Sequence, residues 1–227
     1  LSSSTISAIA VIAGILCRML SKRSVYRNLG NILLGFAVLM VGMQTMSAAV
    51  SPLKDSSVFT RTVTMFSNPF LGILLGIVMT AILQSASASI GIIQALSVTG
   101  ALTFATAFPV ILGIGVGAAC PVMLSAIGAN KNGKRTAWAY LLENAFGMVL
   151  WGVGFYALNA VFSFPFLNTT VSPVLIAMIN SVYRIVTALV LFPFIKALEK
   201  LLMALVKDSE EDLEDIADNA DFDLLEE

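Results

Sequence analysis

The chain has 227 residues, 58% of them hydrophobic and 12% charged, with a mean hydropathy of +0.91. A soluble globular chain carries about 25% charged residues, so an aqueous enzyme or nucleic-acid-binding domain is excluded as its main body. The net charge of −1 hides a division: residues 1–207 hold all 13 Lys and Arg with three acids (Asp55, Glu143, Glu199), and residues 208–227 hold the other 11 acids and no base.

Apolar residues fall in long blocks rather than in alternation, which points to membrane helices and not to a β-barrel. Lipid offers no partner to a bare backbone N–H or C=O, so a lipid-embedded chain is driven to helix. The expected fold is therefore all-α: a polytopic helical bundle. The absence of His excludes imidazole metal sites and His proton relays. Cys17 and Cys120 sit in separate apolar segments and read as packing residues. Leu1 opens the chain without an initiator Met, a charged leader or a cleavage pattern, which reads as a fragment.

Crossing about 30 Å of hydrocarbon takes roughly 20 helical residues. Segment 5–21 just reaches that length, and together with the connector it makes a first region, 1–28. Segment 29–51 spans comfortably and is followed by a polar outer loop to residue 68. Apolar residues 69–83 are too few to cross and run into the string Gln84-Ser85-Ala86-Ser87-Ala88-Ser89. A second short apolar run, 90–98, follows, so 69–100 reads as a re-entrant hairpin. Region 101–207 holds three spans: 101–127, broken by Pro109, Gly113, Gly115, Gly117 and Pro121, then 137–163 and 173–196. Residues 208–227 are an acidic tail outside the bilayer.

The basic residues support this order. Lys22, Arg23 and Arg27 lie between the first two spans; Lys131, Lys134 and Arg135 follow the broken one; Lys196, Lys200 and Lys207 follow the last. Placing all three clusters on the cytoplasmic side makes the spans alternate as the positive-inside rule requires, with the hairpin entering and leaving by the outer face. Two crossings in place of the hairpin would give the same parity. The shortness of both arms favours the hairpin.

The polar string carries the chemistry. On a helix Ser85 and Ser89 share a face, with Gln84 and Ser87 beside them. Small residues and hydroxyls serve close helix packing in membranes. They also suit a binding site, because a helix broken at mid-membrane exposes N–H groups and a positive dipole end to an anion. Its free carbonyls, with hydroxyl and amide oxygens, suit Na⁺. Secondary transporters build their sites from such discontinuous helices.

The run NPFLGILLGIVMTAILQSASASIGIIQALS (68–97) resembles the Q-S-S-S hairpin of the bacterial and type II sodium/phosphate cotransporters. The resemblance extends over about 28–196, through the Gly-rich span, the K-N-G-K-R loop, LLENAFG (141–147) and LFPF (191–194). It implies half of an inverted-repeat transporter, with the other repeat missing from this chain or supplied by a second chain, a homodimer being one form of that. It further implies phosphate or a related oxyanion as substrate, Na⁺ as coupling ion with no other cofactor, and Gln84, Ser85, Ser87, Ser89 and Asn144 as candidate binding residues, to which Arg184, an isolated charge in the last span, is added on its own account. Gln84, Ser85 and Ser87 are the candidate Na⁺ ligands.

Several positions depart from the family pattern. Ala86 replaces the second serine of the hairpin, and the usual G-x-N-I-G-T-T reads Gly113-Ile114-Gly115-Val116-Gly117-Ala118-Ala119. The Phe-Asn of the last two spans reads Glu143-Asn144 and Tyr183-Arg184. Glu143 and Arg184 are isolated charges in apolar spans, each costing about 2.5–3.5 kcal/mol at a bilayer centre on insertion scales. An ion pair, or a shared polar partner, would lower both costs. Such a pair reads as a helix staple, or Arg184 reads as an anion ligand; Glu143 could also reach interfacial water.

Lesser signals remain. Asn168-Thr169-Thr170 matches a short glycosylation sequon, and Met40, Met43 and Met46 read as packing or lipid-facing surface. Leu213, Ile216 and Ala220 stand at helical spacing in the tail, which reads as a solvated acidic segment or as the start of a PhoU-like region, since bacterial members of the family often continue into one. The functional expectation is a multi-pass cell-membrane symporter working by alternating access, its tail cytoplasmic. The alternative is a non-transporting sensor or scaffold. No His, Cys or carboxylate cluster suggests catalysis.

Overall fold

The computed structural model describes residues 3–20 and 23–207, and these are helical nearly throughout. The acidic tail and its expected amphipathic pattern lie outside the described residues. The helices are α1 (Ser3–Leu20), α2 (Ser24–Val50), α3 (Ser57–Met65), α4 (Pro69–Leu83), α5 (Ala86–Ser97), α6 (Phe104–Gly117), α7 (Ala119–Ser125), α8 (Lys131–Phe162), α9 (Pro173–Leu191) and α10 (Ile195–Leu205). Four stretches are long and apolar enough to cross a membrane: Ser24–Leu53, Phe104–Gly128, Lys131–Phe162 and Pro173–Leu205. The fifth expected crossing, α1, is a shorter apolar helix over Thr5–Leu20. The protein is an all-α, multi-pass membrane protein.

Local chemistry sets the helix ends. Asn68 accepts from Phe70 N and Leu71 N, and Pro69 opens α4, where its missing N–H costs nothing. Asn130 caps α8 through Gly133 N, and Ser172 caps α9 through Leu175 N with Pro173 next in line. At the far end of α8 the chain turns through Ser163 at φ 47°, where Asn159 Oδ1 takes the Phe164 N–H.

Helices α1 and α2 form an antiparallel pair. Arg18 donates to Asn31 Oδ1 near the connector, and Gln44 donates to Ser7 Oγ towards the other end.

The core is α6, the most buried of the candidate spans. One of its faces meets α4 in matched order: Gly72 lies against Pro109, Gly76 against Val110 O and Gly113, and Gly117 against Ile77 and Thr80. Residue numbers rise together on both sides, so α4 and α6 are parallel and the chain must reverse between them through α5. A β-carbon on Gly76 or Gly113 would meet the partner's backbone, which explains why this seam needs glycine.

The two ends of the bundle are distinct. Phe104 N donates to Thr169 O and Val171 N to Leu102 O, which joins the start of α6 to the α8–α9 loop. Gln94 near the end of α5 donates to Pro173 O, at the same end. At the opposite end Arg135 holds the Val206 carbonyl with Nε and Nη2, at 3.2 and 2.8 Å. The start of α8 and the α8–α9 loop thus lie at opposite ends of the bundle.

Candidate functional site

The polar string sits on a break in the chain. Thr80 O accepts from Gln84 N, after which Gln84 takes left-handed angles (φ 54°, ψ 22°) and Ser85 is extended (φ −147°, ψ 109°). For a residue with a β-carbon the left-handed region is uncommon, and such strain collects at functional sites. Ser85 then restarts the helix, its Oγ accepting from Ala88 N at 3.2 Å. The first turn of a helix leaves N–H groups without an intrahelical acceptor and gathers the positive end of the dipole.

Four hydroxyls converge on this break. Thr80 donates to Ser89 Oγ at 3.0 Å, Ser89 donates to Ser85 O at 3.0 Å, and the Ser85 and Ser87 hydroxyls are 3.2 Å apart. Thr80 and Ser89 are fully buried, Ser85 is half-buried, and Gln84 and Ser87 are exposed. The tip is thus buried where Thr80 meets Ser89 and open at Gln84 and Ser87. Ser85, Ser87 and Ser89 are joined by these hydrogen bonds, and Gln84 stands at the break itself. Thr80, one turn before Gln84 in an otherwise apolar run, is the member that sequence reasoning missed.

Asn144 and Arg184 lie elsewhere. Gly113 and Gly117 face α4, and Gly115, two residues between them, points the opposite way. There it meets α8 and α9: a methyl group placed on Gly115 would stand 2.9 Å from Tyr183 Oη and 3.3 Å from Asn144 Oδ1. Asn144, Tyr183 and Thr187 are each at most 3% exposed. Trp151 Nε1 donates to Thr187 Oγ1 at 3.0 Å, and Thr187 donates to Tyr183 O at 2.7 Å. Tyr183, Thr187 and Trp151 were not anticipated as site residues, although the Tyr183-Arg184 pair drew notice for its charge.

The expected Glu143–Arg184 ion pair does not form among the described residues. Glu143 accepts from its neighbour Asn144 Nδ2 at 3.2 Å, and Arg184 Nε reaches Asn180 Oδ1 on its own helix at 3.4 Å. With Tyr183 turned inward to the Asn144 backbone, Arg184 is rotated about 100° off that face.

A cavity of about 310 Å³ opens between α6, α8 and α9 beside this cluster. Phe104, Phe108, Trp151, Phe155 and Tyr183 line it, and its walls are almost wholly apolar.

Comparison with known proteins agrees with the resemblance carried by the hairpin. The model of the Na⁺/Pi-cotransporter family matches residues 38–197. The chain is also similar to the uncharacterized protein YqeW of Bacillus subtilis (strain 168), at 26% identity over 143 residues. That match covers 63% of this chain and 46% of YqeW, so the chain spans about half the length of this curated relative. No solved structure matches the chain. The matched stretch contains the whole of the hairpin, the broken span and both helices behind it, and the chain belongs to the Na⁺/Pi-cotransporter family.

Proposed function

We propose that this chain is half of a sodium-coupled secondary transporter, carrying an inorganic oxyanion, phosphate first, by alternating access. The observation that carries this reading is the break at Gln84–Ser85, which places a helix start, a left-handed glutamine and four hydroxyls at the reversal between two apolar helices. Oxyanion oxygens suit the N–H and O–H donors of the first turn of α5. Na⁺ suits the amide oxygen of Gln84 and the oxygens of Ser85 and Ser87. Membership of the Na⁺/Pi-cotransporter family supports both ligands.

In this reading α4 and α5 form a re-entrant hairpin, open to the same face as the α8–α9 loop. The basic end carrying Lys134, Lys196 and Lys200 faces the cytoplasm, and so does the acidic tail. A second repeat of inverted topology, on another stretch of chain or in a partner, completes the site. The role of the chain is translocation and not catalysis.

Labelled phosphate uptake into proteoliposomes, with and without an inward Na⁺ gradient, tests the proposal in the full-length protein. Uptake should require Na⁺, and Gln84→Ala or Ser85→Ala should abolish it at unchanged membrane abundance. Uptake indifferent to Na⁺, or unchanged in both variants, would discard the site. A folded protein with no uptake at all would favour a sensor or scaffold.

A further inference from the structure

A separate cavity, of about 190 Å³, lies where α7 meets the start of α8, at the end of the bundle away from the α8–α9 loop. Met123, Ala126 and Ile127 give it apolar walls, and Lys134 and Trp138 line its α8 side. These two stand one helical turn apart on one face of α8. Trp138 Nε1 donates to no described residue, yet no buried side-chain nitrogen among the described residues lacks a partner, so this N–H opens outward. Lys134 is exposed and pairs with no described acid. Ile127 is itself 75% exposed, so the apolar wall runs out onto the surface of the bundle.

Depth in the bilayer selects what meets this cavity. At 1.5 Å per residue, Trp138 lies about 36 Å and Lys134 about 42 Å along α8 from Phe162. A bilayer is about 30 Å thick in its hydrocarbon and about 40–45 Å with its headgroups. With the α8–α9 loop in one headgroup layer, Lys134 reaches the other, and Trp138 lies just inside it, where tryptophans collect. The apolar walls then face acyl chains, and the two donors stand at the level of lipid phosphate. Residues 128–142 carry Lys131, Lys134 and Arg135 and no acid, which favours a headgroup of net negative charge. We propose that this cavity binds an anionic phospholipid of the leaflet at the basic end. Its phosphate lies on the Lys134 ammonium and Trp138 Nε1, and one acyl chain lies against Met123, Ala126 and Ile127. The site rests on the assignment of sides given above only in that this leaflet is the cytoplasmic one.

Quenching of Trp138 tests this in the full-length protein, reconstituted into phosphatidylcholine nanodiscs. One series contains rising fractions of phosphatidylglycerol brominated on its acyl chains, and the other contains brominated phosphatidylcholine as the zwitterionic probe. Bromine quenches tryptophan at close range, and the quenching lost in Trp138→Phe is the share that belongs to Trp138. That share should reach half its maximum at a mole fraction about fivefold lower for the anionic lipid. Lys134→Gln should erase the preference and leave quenching by both lipids at high mole fraction. Lys200→Gln removes an exposed cation outside the cavity, on α10, and should leave the preference in place.

Equal quenching by the two lipids would overturn the proposal, and acidic residues 208–227 occupying the same cation would give that result. A preference that survives Lys134→Gln would overturn it as well. So would one that falls equally in Lys200→Gln, the mark of a diffuse charged layer and not of a site. A preference abolished by inorganic phosphate at constant ionic strength would assign Lys134 to a soluble anion and overturn the lipid. A nanodisc offers the same lipids to both leaflets, so an error in the assignment of sides would leave these results unchanged and would show in cysteine labelling alone.

Discussion

Thr80 and Ser89, nine residues apart in sequence, share a 3.0 Å hydrogen bond across the break between α4 and α5, and both side chains are fully buried. The bond ties the last turn of one helix to the first turn of the next. Thr80→Val keeps the shape and removes the donor. It should cost about 1 kcal/mol, and thermal unfolding in detergent measures this. A double-mutant cycle with Ser89→Ala should show coupling of about 0.6 kcal/mol, typical of hydrogen bonds between membrane helices.

Gly76→Ala and Gly113→Ala should each sharply reduce the folded fraction, since each new β-carbon meets partner backbone that cannot move aside like a side-chain tip. Gly35→Ala, with open space around it, is the control and should express normally. Size-exclusion profiles of tagged variants from whole-cell extracts give the comparison.

Sidedness follows from the two tied ends. Asn132→Cys and Asn168→Cys, in a background lacking Cys17 and Cys120, should label from opposite faces of intact cells. Labelling of both from one face would overturn the arrangement of α8 and α9 across the membrane.

Glu143→Gln and Arg184→Gln should have independent effects on stability, because each charge is held by a neighbour on its own helix. Their combined loss should equal the sum of the single losses within about 0.5 kcal/mol. A double variant much more stable than that sum would restore the ion pair.

Much of this was legible in sequence because membrane segments obey simple length rules. Two apolar arms too short to cross, meeting at Gln84-Ser85, announced the break, and it falls at those residues. What stayed hidden depended on rotation about helix axes. Thr80 is one polar residue in an apolar helix, and only its register against Ser89 makes it part of the site. Tyr183 reaches Asn144 because Gly115 and Gly147 leave room for its ring tip, a relation among three helices that no local pattern encodes. Spacing placed Glu143 and Arg184 at corresponding positions of adjacent spans, but a rotation of one residue separated them.

The parallel seam between α4 and α6 works like a rack with teeth. Backbone sits in the notches at Gly76 and Gly113, so a small slide drives a carbonyl into the next residue and only a jump of one helical turn, about 5.4 Å, finds a new fit. The hairpin and its post must therefore travel as one body. The opposite seam, where Phe104 and Phe108 face Phe155 with ring centres 5.6 and 4.5 Å away, meets through side-chain rings. In the alternating-access reading proposed above, rearrangement of this half would run along those rings, with the hairpin tip carried on a rigid arm.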